Sequence, residues 1–312
     1  MKFVLSRLLI VLPTLFGVIT LIFILIRLIP GDPAMAILGE HANREMVEQL
    51  RHELGLDKSI YIQYFDFLGN LIKLDFGRSL KTQAPVIEEI SRQFPYTVDL
   101  VVASVMLSIL FGIPMGTVSA VYRERWLDHI TRPISMGLVS TPVFYVGLLL
   151  LILFSYKLEL FPLIGGGDYS NLSSRLYHLV LPAISLSTIQ TGVVIRTTRS
   201  CLLEVLGQDY IRTARAKGIR EYEVILVHGL KNALIPVATV IGLNTGRLLG
   251  GAVLTETVFS RPGMGKLLVD SILSHDYPQT EAAVIVFAIG VILVNLITDI
   301  VYLTLDPRIR QI

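Results

Sequence analysis

Apolar residues along this chain come in long unbroken blocks, and they do not alternate with polar ones. Stretches of about 17 to 24 residues without a charged side chain, long enough for a hydrocarbon core of roughly 30 Å, occupy 8–26, 100–121, 133–156 and 179–195. Two more, 232–255 and 282–305, are interrupted only by Arg247 and Asp299. Period-2 segments of the barrel type are missing, so helices that close their own hydrogen bonds are the available way to cross lipid. The pattern predicts an all-α membrane protein with six transmembrane helices.

Shorter signals fill the gaps. In the external segment 30–95, Val47, Leu50 and Leu54 recur at helical spacing within 45–56, and Tyr61, Tyr64, Phe65, Phe67, Leu68 and Leu71 supply an apolar surface for a small folded cap. Between spans four and five, 209–217 has helical spacing with Tyr210, Ala214 and Lys217 on one side. Gly218 follows as a left-handed terminator. A second pattern then places Ile219, Tyr222, Leu226 and Leu230 on one face. Two short helices joined at a glycine are predicted to form an L-shaped knob, its small residues Thr213, Ala214 and Ala216 admitting a partner's surface. The segment 256–281 reads as a turn at Arg261-Pro-Gly263, an amphipathic stretch with Leu267 and Leu268, and a re-entrant or interfacial element. Prolines at 13, 114, 142, 182 and 236 suit helices bent around a cavity.

Composition agrees with the pattern: 53% of residues are hydrophobic and 17% charged, the latter well below the roughly 25% of soluble domains. Charge decides orientation. Arg123, Arg125 and Arg132 crowd one short loop; Arg196, Arg199, Arg212, Arg215, Lys217, Arg220 and Lys231 crowd another. The positive-inside rule makes these loops and both termini cytoplasmic. Lys2 and Arg7 precede an apolar run longer than a signal peptide's core, without a small-residue cleavage pattern, so that run is read as a retained first helix. The net charge of +2, segregated by side, gives no support to nucleic-acid binding. Cys201 is the single cysteine, which excludes an internal disulfide and a cysteine metal cluster.

Candidate chemistry is sparse. Gly263-Met-Gly-Lys266 resembles the end of a phosphate loop, but Ser260 stands where the first glycine is required and Leu267 follows the lysine. The six histidines show no metal-ligand spacing, and no nucleophile elbow occurs. No catalytic residue and no metal site is expected. Arg247 is different. It falls roughly 20 Å along span five from the cytoplasmic end at 1.5 Å per residue, one turn from Asn244 and below Glu256. An arginine facing lipid there would cost about 2.5 to 3.5 kcal/mol. Two readings stand: Asn244, Arg247, Asp99 and Glu256 line a translocation path, with Asp99 as a possible partner for Arg247, or Arg247 forms a structural ion pair or snorkels. Asp299, beside Asn295 and Tyr302, reads as an interhelical hydrogen bond at a helix end.

Arg212-Thr-Ala214, three further residues and Gly218 match the Glu-Ala-Ala-x-x-x-Gly docking motif of permease subunits, with Arg and Thr in the first two places and Lys231 where a later Leu-Pro would begin. Ile29-Pro-Gly-Asp-Pro33, Leu54-Gly-Leu-Asp57, Gln63-Tyr64, Asp75-Phe-Gly77 with Ser79, Asn232-Ala-Leu-Ile-Pro236, Leu249-Gly-Gly-Ala-Val253, Pro262-Gly263, Asp276-Tyr-Pro278 and Leu305-Asp-Pro-Arg308 follow in family order. On these residues the chain resembles the permeases of ATP-binding-cassette importers, in the dipeptide, oligopeptide, glutathione and nickel branch.

The resemblance implies a type I importer permease fold, N-in and C-in, in the bacterial inner membrane. Its parts would be a first helix at 1–29, the external segment at 30–95, a permease core at 96–305 and a tail at 306–312. Within the core, 196–232 would couple to the ATPase and 256–281 would act as a gate or scoop. Implied partners are a second homologous permease, two cytosolic ATPases that use ATP and magnesium, an external binding protein, membrane lipid and a peptide cargo, with a nickel chelate as the alternative. This chain itself would bind no cofactor. Asp209, Arg212, Thr213, Ala214, Ala216, Gly218 and Glu221 would carry the coupling. Arg261, Pro262, Gly263, Leu267 and Leu268 would meet the binding protein or gate the mouth. The rival from another class is a proton-coupled carrier with Arg247, Asp99 and Asp299 as a relay; such a carrier would have no use for the 209–231 knob.

Overall fold

A computed structural model describes residues 2–28, 33–38, 43–53 and 55–305. Met1, residues 29–32 and 39–42, Leu54, 306–312 and the side chains of Asp299 and Tyr302 lie outside the described residues, and with them all of the signature at 29–33 but Pro33 and all of that at 305–308 but Leu305. Everything described is helix, turn or loop apart from one isolated bridge between Arg78 and Pro85. The helices are α1 Lys2–Leu28, α2 Pro33–Leu38, α3 Arg44–Glu53, α4 Ile60–Ile72, α5 Val86–Val121, α6 Trp126–Ser140, α7 Val143–Leu150, α8 Leu172–Leu206, α9 Asp209–Ala216, α10 Glu221–Glu223, α11 Lys231–Val258, α12 Met264–Leu273 and α13 Tyr277–Leu305.

Among the described residues, four helical runs are long and apolar enough to cross a membrane: Val86–Val121, Leu172–Leu206, Glu221–Val258 and Tyr277–Thr298. The sequence predicts six, and the other two have a different form. Pro13–Leu28 is a shorter apolar helix, and the third expected span is a pair of helices meeting at 102°. The bend falls at Thr141 and Pro142, both extended, with ψ of 127° and 136°, because a residue before proline is driven out of the helical region. The second half of that pair continues α7 as a π-helical stretch, Leu151–Lys157.

The chain divides into two compact units, Met1–Pro95 with Pro262–Gly290, and Tyr96–Arg261 with Val291–Ile312. In the first, Val86, Ile90, Met264, Leu267, Ala282 and Ala283 form one apolar cluster, while Ile22, Ile26 and Ile285 form another that receives Phe67 and Leu71 of α4. Phe23 stacks with Phe67 and meets Tyr64 edge-on; Tyr61 and Phe65 point outward. Arg27 binds Glu281 at 2.6 Å, and buried Asp276 accepts from Ser79 Oγ at 2.5 Å.

In the second unit α8 is the central helix, with a long buried face from Leu179 to Leu202. Glycine lets α5 approach it. A Cβ on Gly112 would fall 2.7 Å from Val194 Cγ1, and one on Gly116 2.6 Å from the Ile195 carbonyl. Gly112 and Gly116 lie four residues apart, the small-xxx-small spacing of close membrane helices. Asp128, fully buried in the first turn of α6, ties three helices together. Its carboxylate accepts from Ser119 Oγ at 2.6 Å, Glu124 N at 3.0 Å, Arg132 Nη2 at 2.6 Å, and Arg199 Nε and Nη2 at 2.7 and 2.8 Å.

Candidate functional site

The polar loop after α8 folds as an exposed helix with one buried stripe. Ile211 and Ala214, one turn apart, pack with Val224 and receive Leu206 and Ile219. Burying Ile211 completely stabilises the arrangement by about 1.5–3 kcal/mol. The outer face carries Asp209, Arg212, Thr213 and Ala216, with Arg212 Nη1 3.5 Å from Asp209 Oδ1, an exposed pair worth little.

The end of α9 is a Schellman turn. Ile219 N donates to the Ala214 carbonyl at 3.4 Å and Gly218 N to the Arg215 carbonyl at 2.9 Å, with Gly218 at φ +75°. Its hydrophobic contact is Ile219 on the Ala214 side. Arg215 crosses the turn to Glu221, Nη2 to Oε1 2.7 Å and Nε to Oε2 3.1 Å; that hydrogen bond is the main cause holding the Arg215 pKa above its ordinary value. Asn232 Nδ2 reaches the Tyr210 hydroxyl at 3.0 Å, fixing α9 to the start of α11.

Two expectations change here. Ala214 faces the chain's own core, 8% exposed, because the Ile211 and Ala214 stripe is what α9 has to bury; the outward small residues are Thr213 and Ala216. The second arm of the knob is no separate helix. Residues 221–258 run continuously, with a π-helical stretch at Val224–Leu230. Along this arm Tyr222 and Leu226 are exposed, whereas Val224 and Gly229 are buried. Gly229 allows the fit: a Cβ there would meet Leu202 and Leu206 side chains at 3.1 and 3.2 Å.

The intramembrane polar set separates into exposed Arg247 with half-buried Asn244, and half-buried Asp99 and buried Glu256, each with partners of its own. Arg247 is exposed and donates to Asn244 Oδ1 at 3.2 Å, while Asn244 Nδ2 donates to the Val240 carbonyl at 2.8 Å. Asp99 is no partner of Arg247. Arg175, in the first turn of α8, takes both its oxygens, Nε to Oδ2 at 2.5 Å and Nη2 to Oδ1, because Asn171 caps that helix through Ser173 N and Ser174 N and fixes its first turn. Glu256 is fully buried and accepts from Thr97 Oγ1 at 2.6 Å.

Arg261, expected at an outer contact, is completely buried. Its guanidinium lies 5.2 Å above the Tyr96 ring and 4.0 Å from Asp99 Oδ2, yet Nε, Nη1 and Nη2 have no hydrogen-bond partner. Burial pulls its pKa below the usual arginine value, with Asp99 and Glu256 opposing. Gly263 and Leu267 are buried too, and Pro262 and Leu268 half-buried; the exposed apolar residues of α12 are Ile272 and Leu273. The Asp128 network has no complete local signature in the sequence. Its Arg132 lies four residues on and is legible there, but Arg199 comes 71 residues later.

Among known proteins, residues 112–311 match the family described as binding-protein-dependent transport system inner membrane component, and residues 1–101 match that family's N-terminal component. The chain is 40% identical over 310 residues to the glutathione transport system permease protein GsiC of Escherichia coli strain K12, covering 99% of both chains. The GsiC of Shigella dysenteriae serotype 1 matches to the same extent. An inward-facing crystal structure of the MetNI methionine ABC transporter superposes with a TM-score of 0.60 at 16% identity, covering 71% of this chain and 98% of that one.

Proposed function

The chain belongs to the binding-protein-dependent inner membrane components of ABC importers, multi-pass proteins of the bacterial inner membrane, and from that premise we propose how it works. It forms half of a translocation path for small peptides or glutathione-like peptides, the cargo class suggested by the name of its 40% identical relatives. The chain makes six passes, α1 and the bent α6–α7 pair included, with both termini cytoplasmic. A second permease supplies the other half, two ATPases holding ATP and magnesium bind below, and an external binding protein delivers from above.

The exposed α9, closed by its Schellman turn, is the observation that carries this reading. A short stiff helix, packed through Ile211 and Ala214 onto the head of the 221–258 run, moves with that run as a rigid body. Asp209, Arg212, Thr213 and Ala216 meet the ATPase; Ala214, Gly218 and Glu221 hold the shape that presents them. Asn244 and Arg247 line the path. Arg261, Asp99 and Glu256 act at the outer mouth, and α12 with Leu267 and Leu268 forms the gate.

The test is ATP hydrolysis by the detergent-purified complex, with and without binding protein carrying candidate peptides. Stimulation in the wild type that disappears in Gly218→Pro is the expected result. A chain that purifies alone and moves solute down a proton gradient without ATP would overturn the reading.

A further inference from the structure

A cavity of about 290 Å³ lies among α5, α6 and α8, with Arg132, Arg196 and Arg199 around Ser135, Met136 and Ile195. Its donors are not used up. Asp128 already accepts hydrogen bonds on both oxygens, and Glu124 takes Arg132 Nη2 at 2.7 Å. Three guanidinium groups therefore face two carboxylates. Arg196 has no hydrogen bond or ion pair among the described residues, and Arg132 Nε is buried without a partner.

The depth of this cavity is marked independently. Trp126, the chain's single tryptophan, is 67% exposed at the start of α6, and Tyr122 is exposed just before it. Exposed amphipathic aromatics of this kind sit at headgroup level. Arg132 is six residues farther along α6, roughly 9 Å at the helical rise, where headgroups give way to acyl chains. Below the cations, Met136 is exposed and Ile195 is buried, an apolar floor beneath a positive rim. Free solutes need no such floor.

We propose that this cavity binds the phosphodiester headgroup of an anionic phospholipid. Arg196 and Arg132 Nε supply the donors, and Met136 and Ile195 contact the upper acyl segment. Basic pockets between membrane helices suit such headgroups because a phosphate there recovers the cost of partly dehydrated cations. The site is independent of which solute the protein carries.

The full transporter complex is reconstituted in nanodiscs of mixed phosphatidylglycerol and phosphatidylcholine, and retained lipid is counted by native mass spectrometry. Wild type should keep phosphatidylglycerol over phosphatidylcholine. Arg196→Gln, which leaves every partner of Asp128 in place, should reduce that preference about fivefold, the effect of one cation near an anionic surface. Met136→Glu should reduce it without removing a guanidinium. Equal retention of the two lipids by wild type, or a preference untouched by both variants, would overturn the proposal. In detergent, added short-chain phosphatidylglycerol should raise the melting midpoint of wild type and raise that of Arg196→Gln less. The same rise with inorganic phosphate or glutathione alone would reassign the cavity to a soluble anion and overturn the lipid.

Discussion

At Arg261 a charge is held where Nε, Nη1 and Nη2 all lack a hydrogen bond, with Asp99 at 4.0 Å and already committed to Arg175. Removing such a cation relieves a desolvation cost, whereas removing the acid strands two cations, the asymmetry general to buried ion pairs. Arg261→Met should therefore melt no lower than wild type, and Asp99→Asn should lose about 3–5 kcal/mol; melting of the purified complex separates them. A lower midpoint for Arg261→Met would show that the guanidinium is better paired than this geometry has it. Gly218 poses a backbone question. A Cβ there would touch nothing within 4 Å, but φ is +75°, so Gly218→Ala should cost about 1–2 kcal/mol through conformation alone. Gly218→Pro removes the hydrogen bond to Arg215 as well and demands an opposite φ. It should abolish uptake while the protein still reaches the membrane fraction, which uptake assays and membrane immunoblots together decide.

Between α5 and α8 the two backbones are nearly in contact at Gly116. Gly116→Leu should force them apart, costing about 1–3 kcal/mol or more, visible as a lower melting midpoint and yield. Gly250, where an added methyl would meet nothing within 4 Å, provides the contrast: Gly250→Ala should be neutral or stabilising by up to about 1 kcal/mol. The Gly112 and Gly116 spacing is present in the sequence but hidden inside an apolar block, whose length is a stronger signal than its packing. Other elements are readable only in part. Val47 and Leu50 place a helix that runs Arg44–Glu53, because helical spacing is a local property. The right-angled break at Pro142 is not readable, since proline signals a bend without its size. In α9, small size alone turns Thr213, Ala214 and Ala216 all toward a partner; weighing Ile211 first turns Ala214 inward, since a short helix must bury its one large aliphatic residue.

For the whole molecule, the coupling reading distinguishes two neighbouring residues. Thr213→Trp enlarges the outer face of α9 and should uncouple ATP hydrolysis from binding protein without moving the melting midpoint. Ala214→Trp overfills the space beside Ile211 and Val224 and should lower that midpoint by an amount equivalent to about 1–3 kcal/mol. Parallel ATPase and melting curves on the two proteins check both, and a Thr213→Trp protein with normal coupling would move the ATPase contact elsewhere. Family and membrane class are legible because both are written in contiguous motifs and blocks. The Asp128 and Asp99 networks are not, because Arg199 and Arg175 both come from α8, 71 and 76 residues farther along the chain. The π-helical stretch Val224–Leu230, between α9 and the membrane run, carries a consequence for insertions and deletions. A π turn winds about one residue more than an α turn over the same rise, so losing one residue there would restore an ordinary helix and leave both flanks in phase. The same loss anywhere else in 221–258 would rotate one flank against the other by about 100°, turning its buried face outward; this stretch is where the pass can change length and keep its register.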